Sequence, residues 1–301
     1  MVFKNFEELI GKVKNVSRVK RVGVVAAQDG PSLEAVLRAM GDGLLEPALI
    51  GDKARITDIL AKLGAGLPES AIVDEPDPLR AAAEAVRLVR EGRADFLMKG
   101  KIETGDLLKA VVNKETGLGT GRVMSHMAIQ TVPRYHKMLV TTDGGMLPYP
   151  TLEQKKDIIV NAVNALRAMG YDRPKVGVLA AVEKVNPKMP ETVEAAALKE
   201  MNAKGEITGC VVEGPISMDI AVVKERAEVK GFVSEVAGDA DILVVPDIHA
   251  GNILGKCLVE LAGAKMAGLI LGARAPIVVT SRGSSAEEKY LSLVLAAAAA
   301  G

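Results

Sequence analysis

Residues 240–289 read ADILVVPDIHAGNILGKCLVELAGAKMAGLILGARAPIVVTSRGSSAEEK, and their pattern decides the fold. The apolar run Asp241–Val245 predicts a strand that stops at Pro246-Asp247, and Gly251–Leu261 predicts the helix after it. Leu269–Leu271 and Ile277–Thr280 predict two more strands, Ser281-Arg282-Gly283 a tight polar turn, and Ala286–Ala299 a helix. None of these strands alternates between apolar and polar residues. Strands buried on both faces read this way, which points to a largely parallel sheet covered by helices. That is an α/β architecture.

The same pattern extends outward in both directions. Strands are predicted at Arg21–Ala27, Pro47–Ile50, Ala71–Val73, Ala94–Met98, Met138–Thr141, Lys175–Ala180 and Gly209–Val212. Helices are predicted at Pro31–Met40, Lys53–Leu63, Asp77–Arg90, Thr104–Asn113, Leu152–Met169, Glu191–Asn202 and Ser217–Arg226. Asn113–Pro133 has the weakest periodicity and several glycines, so it is expected to form a hinge or a strand pair. So many strands exceed what one sheet commonly holds. The expected architecture is therefore two α/β/α lobes with an interlobe active-site cleft, residues 1–125 plus 269–301 forming the first and 126–268 the second.

Composition narrows the function classes. The 301 residues carry 38 Lys plus Arg against 38 Asp plus Glu, so no global field draws the chain to nucleic acid or a membrane. With no Trp, four Tyr and four Phe, base stacking is an unpromising mode of recognition. Cys210 and Cys257 have no CxxC-like spacing and lie in apolar runs, so both are expected to be buried in a reducing, cytoplasmic setting. The opening MVFKNFEELIGKVK reads as an amphipathic helix rather than a signal peptide. LSLVLAAAAAG at the other end suits a buried helix.

In open α/β sheets, ligands sit beyond the carboxyl ends of the strands. Four strand-to-helix turns therefore hold the candidate residues. At Ser281-Arg282-Gly283-Ser284, a guanidinium and hydroxyls meet a helix amino terminus, whose free N–H groups favour an anion. Ser-x-x-Glu is also a capping box, and both Ser284/Glu287 and Ser285/Glu288 fit it, leaving one glutamate as a base. At the second turn, Asp247 and the pair Gly251-Asn252 stand where a helix should start. The third places Lys99 and Lys101 around Gly100, with Thr104 as a cap, and two ammonium groups there suit a phosphate. The fourth has Asp143 ahead of two glycines. GxGxxG, GxxxxGK[ST] and GxSxG do not occur, and three scattered histidines offer neither a triad nor a metal site.

Beyond these turns, Ala240–Lys289 resembles the signature region of phosphate acetyl- and butyryltransferases, which carry D-A-D-x-L-x-x-P-D/N-x-x-x-G-N, a helix, and S-R-G/A-x-S. TTDGGMLPYPTLEQKKDIIVNAV resembles their central strand-to-helix unit and ADFLMKGKIETGDLLKAVV their first-lobe loop, while VMSHMAI is similar to the butyryl branch. The resemblance spans essentially the whole chain. It implies a two-lobe fold of the isocitrate/isopropylmalate dehydrogenase kind and homodimers or larger homo-oligomers. No metal or cofactor is implied, and coenzyme A is a co-substrate.

By that resemblance an acyl group passes between acyl-coenzyme A and inorganic phosphate through direct thiolate attack. Arg282 would neutralise the phosphoryl charge and Ser281 would hydrogen-bond the tetrahedral intermediate. Glu288, where acetyl-type members place an aspartate, would be the base, or otherwise Glu287, where the butyryl branch often keeps a glutamate. Lys109 stands where those members have a phosphate-contacting arginine, and DGGM replaces their Asp-Cys-Ala-Val-Asn. Two other readings are a metal-dependent dehydrogenase of the same general fold, which lacks an Asp-x-x-x-Asp set at the turns above, and a catalytically silent acyl-coenzyme A-binding or regulatory protein.

Overall fold

Proline and aspartate fix where the helices begin, and the apolar runs between them become strands. The computed structural model describes residues 2–281 and 283–301. In chain order the elements are α1 (Phe6–Lys14), β1 (Lys20–Val25), α2 (Gly30–Gly41), β2 (Leu45–Gly51), α3 (Lys53–Lys62), β3 (Ile72–Asp74), α4 (Pro78–Arg90), β4 (Phe96–Lys99) and α5 (Thr104–Val111). There follow β5 (Ser125–Thr131), β6 (Leu139–Thr142), α6 (Leu152–Ala168), β7 (Lys175–Leu179), α7 (Pro190–Ala203), β8 (Val211–Ile216), α8 (Met218–Val222), α9 (Lys224–Val229), β9 (Ile242–Val244) and α10 (Ile248–Glu260). The chain closes with β10 (Lys265–Leu271), β11 (Ile277–Val278) and α11 (Ala286–Ala299). Asp29, Asp52 and Asp77 cap α2, α3 and α4 by accepting from backbone N–H groups three residues on, and Pro31 and Pro78 occupy first-turn positions. Thr151 and Gln154 close a reciprocal capping box on α6.

The chain divides into two compact units, one of Phe6–Arg122 with Ala267–Gly301 and one of Met1–Asn5 with Val123–Met266. In the first, the strands run β3-β2-β1-β4-β11-β10. All are parallel to their neighbours except β10, which pairs antiparallel with β11. In the second the order is β5-β6-β9-β7-β8, with β5 antiparallel to β6 and the rest parallel. The weakly periodic stretch after Asn113 thus supplies β5. Residues 2–5 join the second unit through Phe3, whose C=O accepts from Met138 N and whose N–H donates to the Tyr171 hydroxyl.

Two elements and one cysteine differ from expectation. β8 continues through Gly214-Pro215 to Ile216, past the expected stop at Val212. It is an edge strand, where a residue without an N–H is tolerated. The stretch expected as one helix over Ser217–Arg226 breaks at Val223 into α8 and α9. Cys257 is exposed on α10, whereas Cys210 is buried, its thiol pushed up to about 11 by desolvation.

α11 explains its own composition. Tyr290, Leu291, Leu293, Val294, Leu295, Ala296 and Ala297 are all buried, so it needs no polar face. It packs on α1 and α2 of the first unit. No helix among the described residues is long and apolar enough to cross a membrane.

Candidate functional site

In the first unit the parallel strands β1, β4 and β11 are adjacent and end together, so the turns beyond them converge. Their loops line an open cavity of about 690 Å³ that includes Asp29, Ser32, Lys99, Lys101, Thr280, Ser281, Ser284 and Lys289. Two of the four predicted turns are therefore brought to one place. The Lys99-Gly100-Lys101 turn lies hard against the end of β1. A Cβ on Gly100 would sit 2.5 Å from the carbonyl oxygen of Ala26 and 2.7 Å from that of Val25, so only glycine fits. The N–H groups of Gly100 and Lys101 donate to those same two carbonyls. Lys99 is half-buried and Lys101 exposed at the rim.

The turn after β11 is organised by hydroxyls. Ser285 is the N-cap of α11, its Oγ accepting from Glu288 N at 3.1 Å. Ser284, outside the helix, donates to Glu288 Oε1 at 2.8 Å and accepts from Ser281 N at 3.1 Å. Because a hydroxyl has one proton, the 3.2 Å contact between Ser281 Oγ and Ser284 Oγ must use the Ser281 proton. The result is a directed chain from Ser281 through Ser284 to the Glu288 carboxylate. Its first link is long for O–H···O, so Ser281 can turn its proton elsewhere at little cost.

The two glutamates are thereby separated. Glu287 is not a cap partner of Ser284. It pairs with Arg38 of α2 at 2.6 Å, and that hydrogen bond raises the arginine's pKa. The same guanidinium lies over the Tyr290 ring, 3.8 Å from its centroid, and Tyr290 donates to Asp42 Oδ2 at 2.8 Å. Burial, with Asp42, pushes the Tyr290 hydroxyl up to about 12. Gly283 is exposed in the turn. Arg282, expected to meet the phosphoryl charge, lies outside the described residues.

Other expectations change. Thr104 is the first residue of α5 and not its cap; the N-cap position falls to Glu103, which makes no side-chain cap bond. Lys109 is 80% exposed and paired with Asp106 at 2.9 Å; Asp106 lines the cavity and Lys109 does not.

Asp143, Asp247, Gly251 and Asn252 belong to the second unit. β6 and β9 are parallel neighbours there, so their two turns also meet. A Cβ on Gly251 would come within 2.6 Å of Gly144 Cα. The Asp143 carboxylate is buried and accepts from the N–H groups of Gly145, Met146 and Leu147 at 2.9–3.1 Å, so it holds its own loop instead of facing outward. Beside it, burial lowers the pKa of His126 while Asp143 opposes that shift. Helix α10 starts at Ile248, three residues earlier than expected. Asp247 is its cap, accepting from Ala250 N at 2.9 Å, and Gly251 and Asn252 lie inside the first turns.

Sequence reasoning passed over Lys289. A lysine beside Glu287 and Glu288 reads as helix surface, yet it is buried, and its Nζ donates to Thr280 Oγ1 at 2.8 Å. The available signal was a cation in the first turns of a helix, where the dipole disfavours it. Among the described residues, no group of three His, Cys, Asp or Glu could hold a metal ion.

Comparison with known proteins places this geometry in context. Residues 77–297 match the family model described as "Phosphate acetyl/butaryl transferase". The chain is 44% identical over 300 residues to the phosphate butyryltransferase of Clostridium acetobutylicum, covering 100% of this chain and 99% of that one. It is 47% identical over 278 residues to the phosphate acetyltransferase of Thermotoga maritima, covering 92% and 94%. Among solved structures, a branched-chain phosphotransacylase from Enterococcus faecalis aligns with a TM-score of 0.81 at 32% identity, covering 94% of this chain and 99% of that one.

Proposed function

The chain belongs to the phosphate acetyl/butyryl transferase family, and from that premise we propose how its residues move an acyl group reversibly between coenzyme A and inorganic phosphate. In one direction the coenzyme A thiolate attacks the carbonyl carbon of an acyl phosphate. The carbon–sulfur bond forms, the carbon–oxygen bond to phosphorus breaks, and phosphate leaves. A free thiol with a pKa of about 8.5 is only partly ionised at neutral pH, so a base is needed. Glu288 is the proposed base. It is the carboxylate joined to Ser281 through Ser284, whereas Glu287 is engaged with Arg38. Ser281, by turning its proton from Ser284, donates to the developing oxyanion. Lys99 and Lys101 draw the phosphate toward the cavity, and Arg282 is assigned the phosphoryl charge by family resemblance.

The observation that carries this reading is the hydroxyl–carboxylate chain at the β11–α11 turn, inside a cavity rimmed by lysines, in a chain with full-length relatives of the family. Thiol release from acetyl-, propionyl-, butyryl- and branched acyl-coenzyme A, with phosphate as acceptor, tests it and sets the acyl preference. Relatives named for acetyl and for butyryl transfer match at nearly equal identity, so identity alone does not divide those branches. Coenzyme A binding with no phosphate-dependent thiol release would select the silent binding protein instead. A metal-dependent dehydrogenase finds no ligand cluster among the described residues. A two-lobe fold of the isocitrate/isopropylmalate dehydrogenase kind is part of the same proposal, as is assembly into a homodimer or larger homo-oligomer. α10 supports assembly: Ile253 is 63% exposed on it and its C-cap Leu261 84%, and Cys257 is exposed too.

A further inference from the structure

Three lysines are buried among the described residues: Lys137, Lys155 and Lys289, at 5%, 5% and 7% exposure. Burying an ammonium is costly unless an opposite charge meets it. Two of the three obey that rule. Lys137 lies 2.8 Å from Asp239 and 2.7 Å from Asp241, and Lys155 is ion-paired with Glu194. Lys289 does not. Among the described residues it forms no ion pair, and its ammonium's one hydrogen bond is to the neutral hydroxyl of Thr280. An ammonium has three donors, so two are left without a partner among the described residues.

Its position sharpens the anomaly. Lys289 is the fourth residue of α11, counting from Ala286, where the positive end of the helix dipole works against a cation. Glu288 and Glu287, one and two residues before it, could have neutralised it, but they are turned to Ser284 and to Arg38. The Lys289 side chain instead lines the cavity that also holds Lys99, Lys101, Ser281 and Ser284. A buried cation, a helix amino terminus and two hydroxyls on one wall all favour the same occupant, a compact anion with several acceptor oxygens.

We propose that Lys289 is a phosphate-binding residue of this enzyme. Its ammonium, steadied by Thr280, bonds an oxygen of inorganic phosphate or of the phosphoryl end of an acyl phosphate, and that anion is the counter-charge missing among the described residues. The assignment rests on the acyl-transfer reading for the identity of the anion. The phosphates of coenzyme A share the same chemistry and are the source the experiment must separate.

The test uses Lys289→Met, which keeps length and removes charge, alongside Lys289→Gln, which keeps an N–H donor. Two readouts are taken on each: thermal unfolding against rising inorganic phosphate, and KM for phosphate and for acyl-coenzyme A measured separately. Without phosphate, Lys289→Met is expected to melt at or above the wild-type temperature, since an unpaired buried charge has gone. Phosphate should raise the wild-type Tm by mass action and should raise those of the variants only at about 10- to 100-fold higher concentrations. The KM for phosphate should rise about 10- to 100-fold, the loss of one charged hydrogen bond, with the KM for acyl-coenzyme A within about 2-fold of wild type.

A folded variant with the wild-type KM for phosphate overturns the proposal. So does a rise confined to the KM for acyl-coenzyme A, which would give the ammonium to the nucleotide end, and so does a wild-type Tm indifferent to phosphate. If Lys289→Met does not fold, Lys289→Gln decides by the same measures. Wild-type protein that is stabilised by phosphate through Lys289, yet releases no thiol from any acyl-coenzyme A, would instead sink the acyl-transfer reading and leave this site standing.

Discussion

Glu287 and Glu288 are neighbours of identical chemistry with different tasks. Helical geometry turns successive side chains about 100° apart, so one meets α2 and the other meets the turn before its own helix. The Arg38–Glu287 pair is half exposed on both sides, and such pairs contribute little once solvent screens them. Glu287→Gln is expected to change stability by no more than about 0.5 kcal/mol and to leave turnover near wild type. Glu288→Gln keeps a hydrogen-bond acceptor for Ser284 but cannot take a proton, and turnover should fall by about 10²-fold or more. Equal losses in the two variants, measured by thiol release, would remove Glu288 from the role of base. The capping pattern does not separate these residues, because both satisfy Ser-x-x-Glu; only the family resemblance favours Glu288. The choice of Ser285 as the cap, made by a 3.1 Å bond to Glu288 N, settles which serine faces the cavity.

At the scale of elements, α10 and α11 make an instructive pair. Both read as apolar helices after a strand. α11 is covered by α1 and α2 and is buried on nearly every side. α10 has Gly251 as its one buried residue and leaves Ile253, Cys257 and its C-cap Leu261 exposed. Apolar surface of this kind, without cover from the chain's own fold, fits contact with a second copy. Ile253→Glu with Leu261→Glu is expected to reduce the assembly to a smaller species in light scattering, without lowering helical content. An unchanged mass would exclude α10 from the interface. The expected start of α10 at Gly251 also misplaced its cap, since glycine and asparagine are common at such positions and Asp247 sits in a turn that any Pro-Asp pair could make. The cost is local: Gly251 is needed for close approach to Gly144.

For the molecule as a whole, acid should act through the second unit. Burial pushes the Asp239 carboxyl up, but hydrogen bonds from Lys137, Lys175 and His136 outweigh it and hold the group far below the ordinary carboxylate value of about 3.9. The folded value is then the lower one, so the unfolded chain binds the extra proton. Stability from this group is fully present above about pH 4 and is lost as pH falls through the folded value. Scanning calorimetry from neutral pH downward should show Tm falling in acid, with a shallower fall in Asp239→Asn. Parallel curves for the two proteins would show that other carboxylates carry the acid response.

The order of elements, the parallel ladders and the two serine and lysine turns were legible in the sequence, because apolar runs, glycines and helix-starting residues act over a few positions of chain. Local chemistry predicts such features well. It could not show that Gly100 presses on Ala26 and so sets Lys99 and Lys101 beside a turn some 180 residues away. Nor could it show that Asp143 is consumed by its own loop, or that Lys289 is buried without an ion-pair partner among the described residues. Those are matters of which side chains share a cavity, and that is decided by how strands are ordered across a sheet, where neighbours in space are distant in sequence.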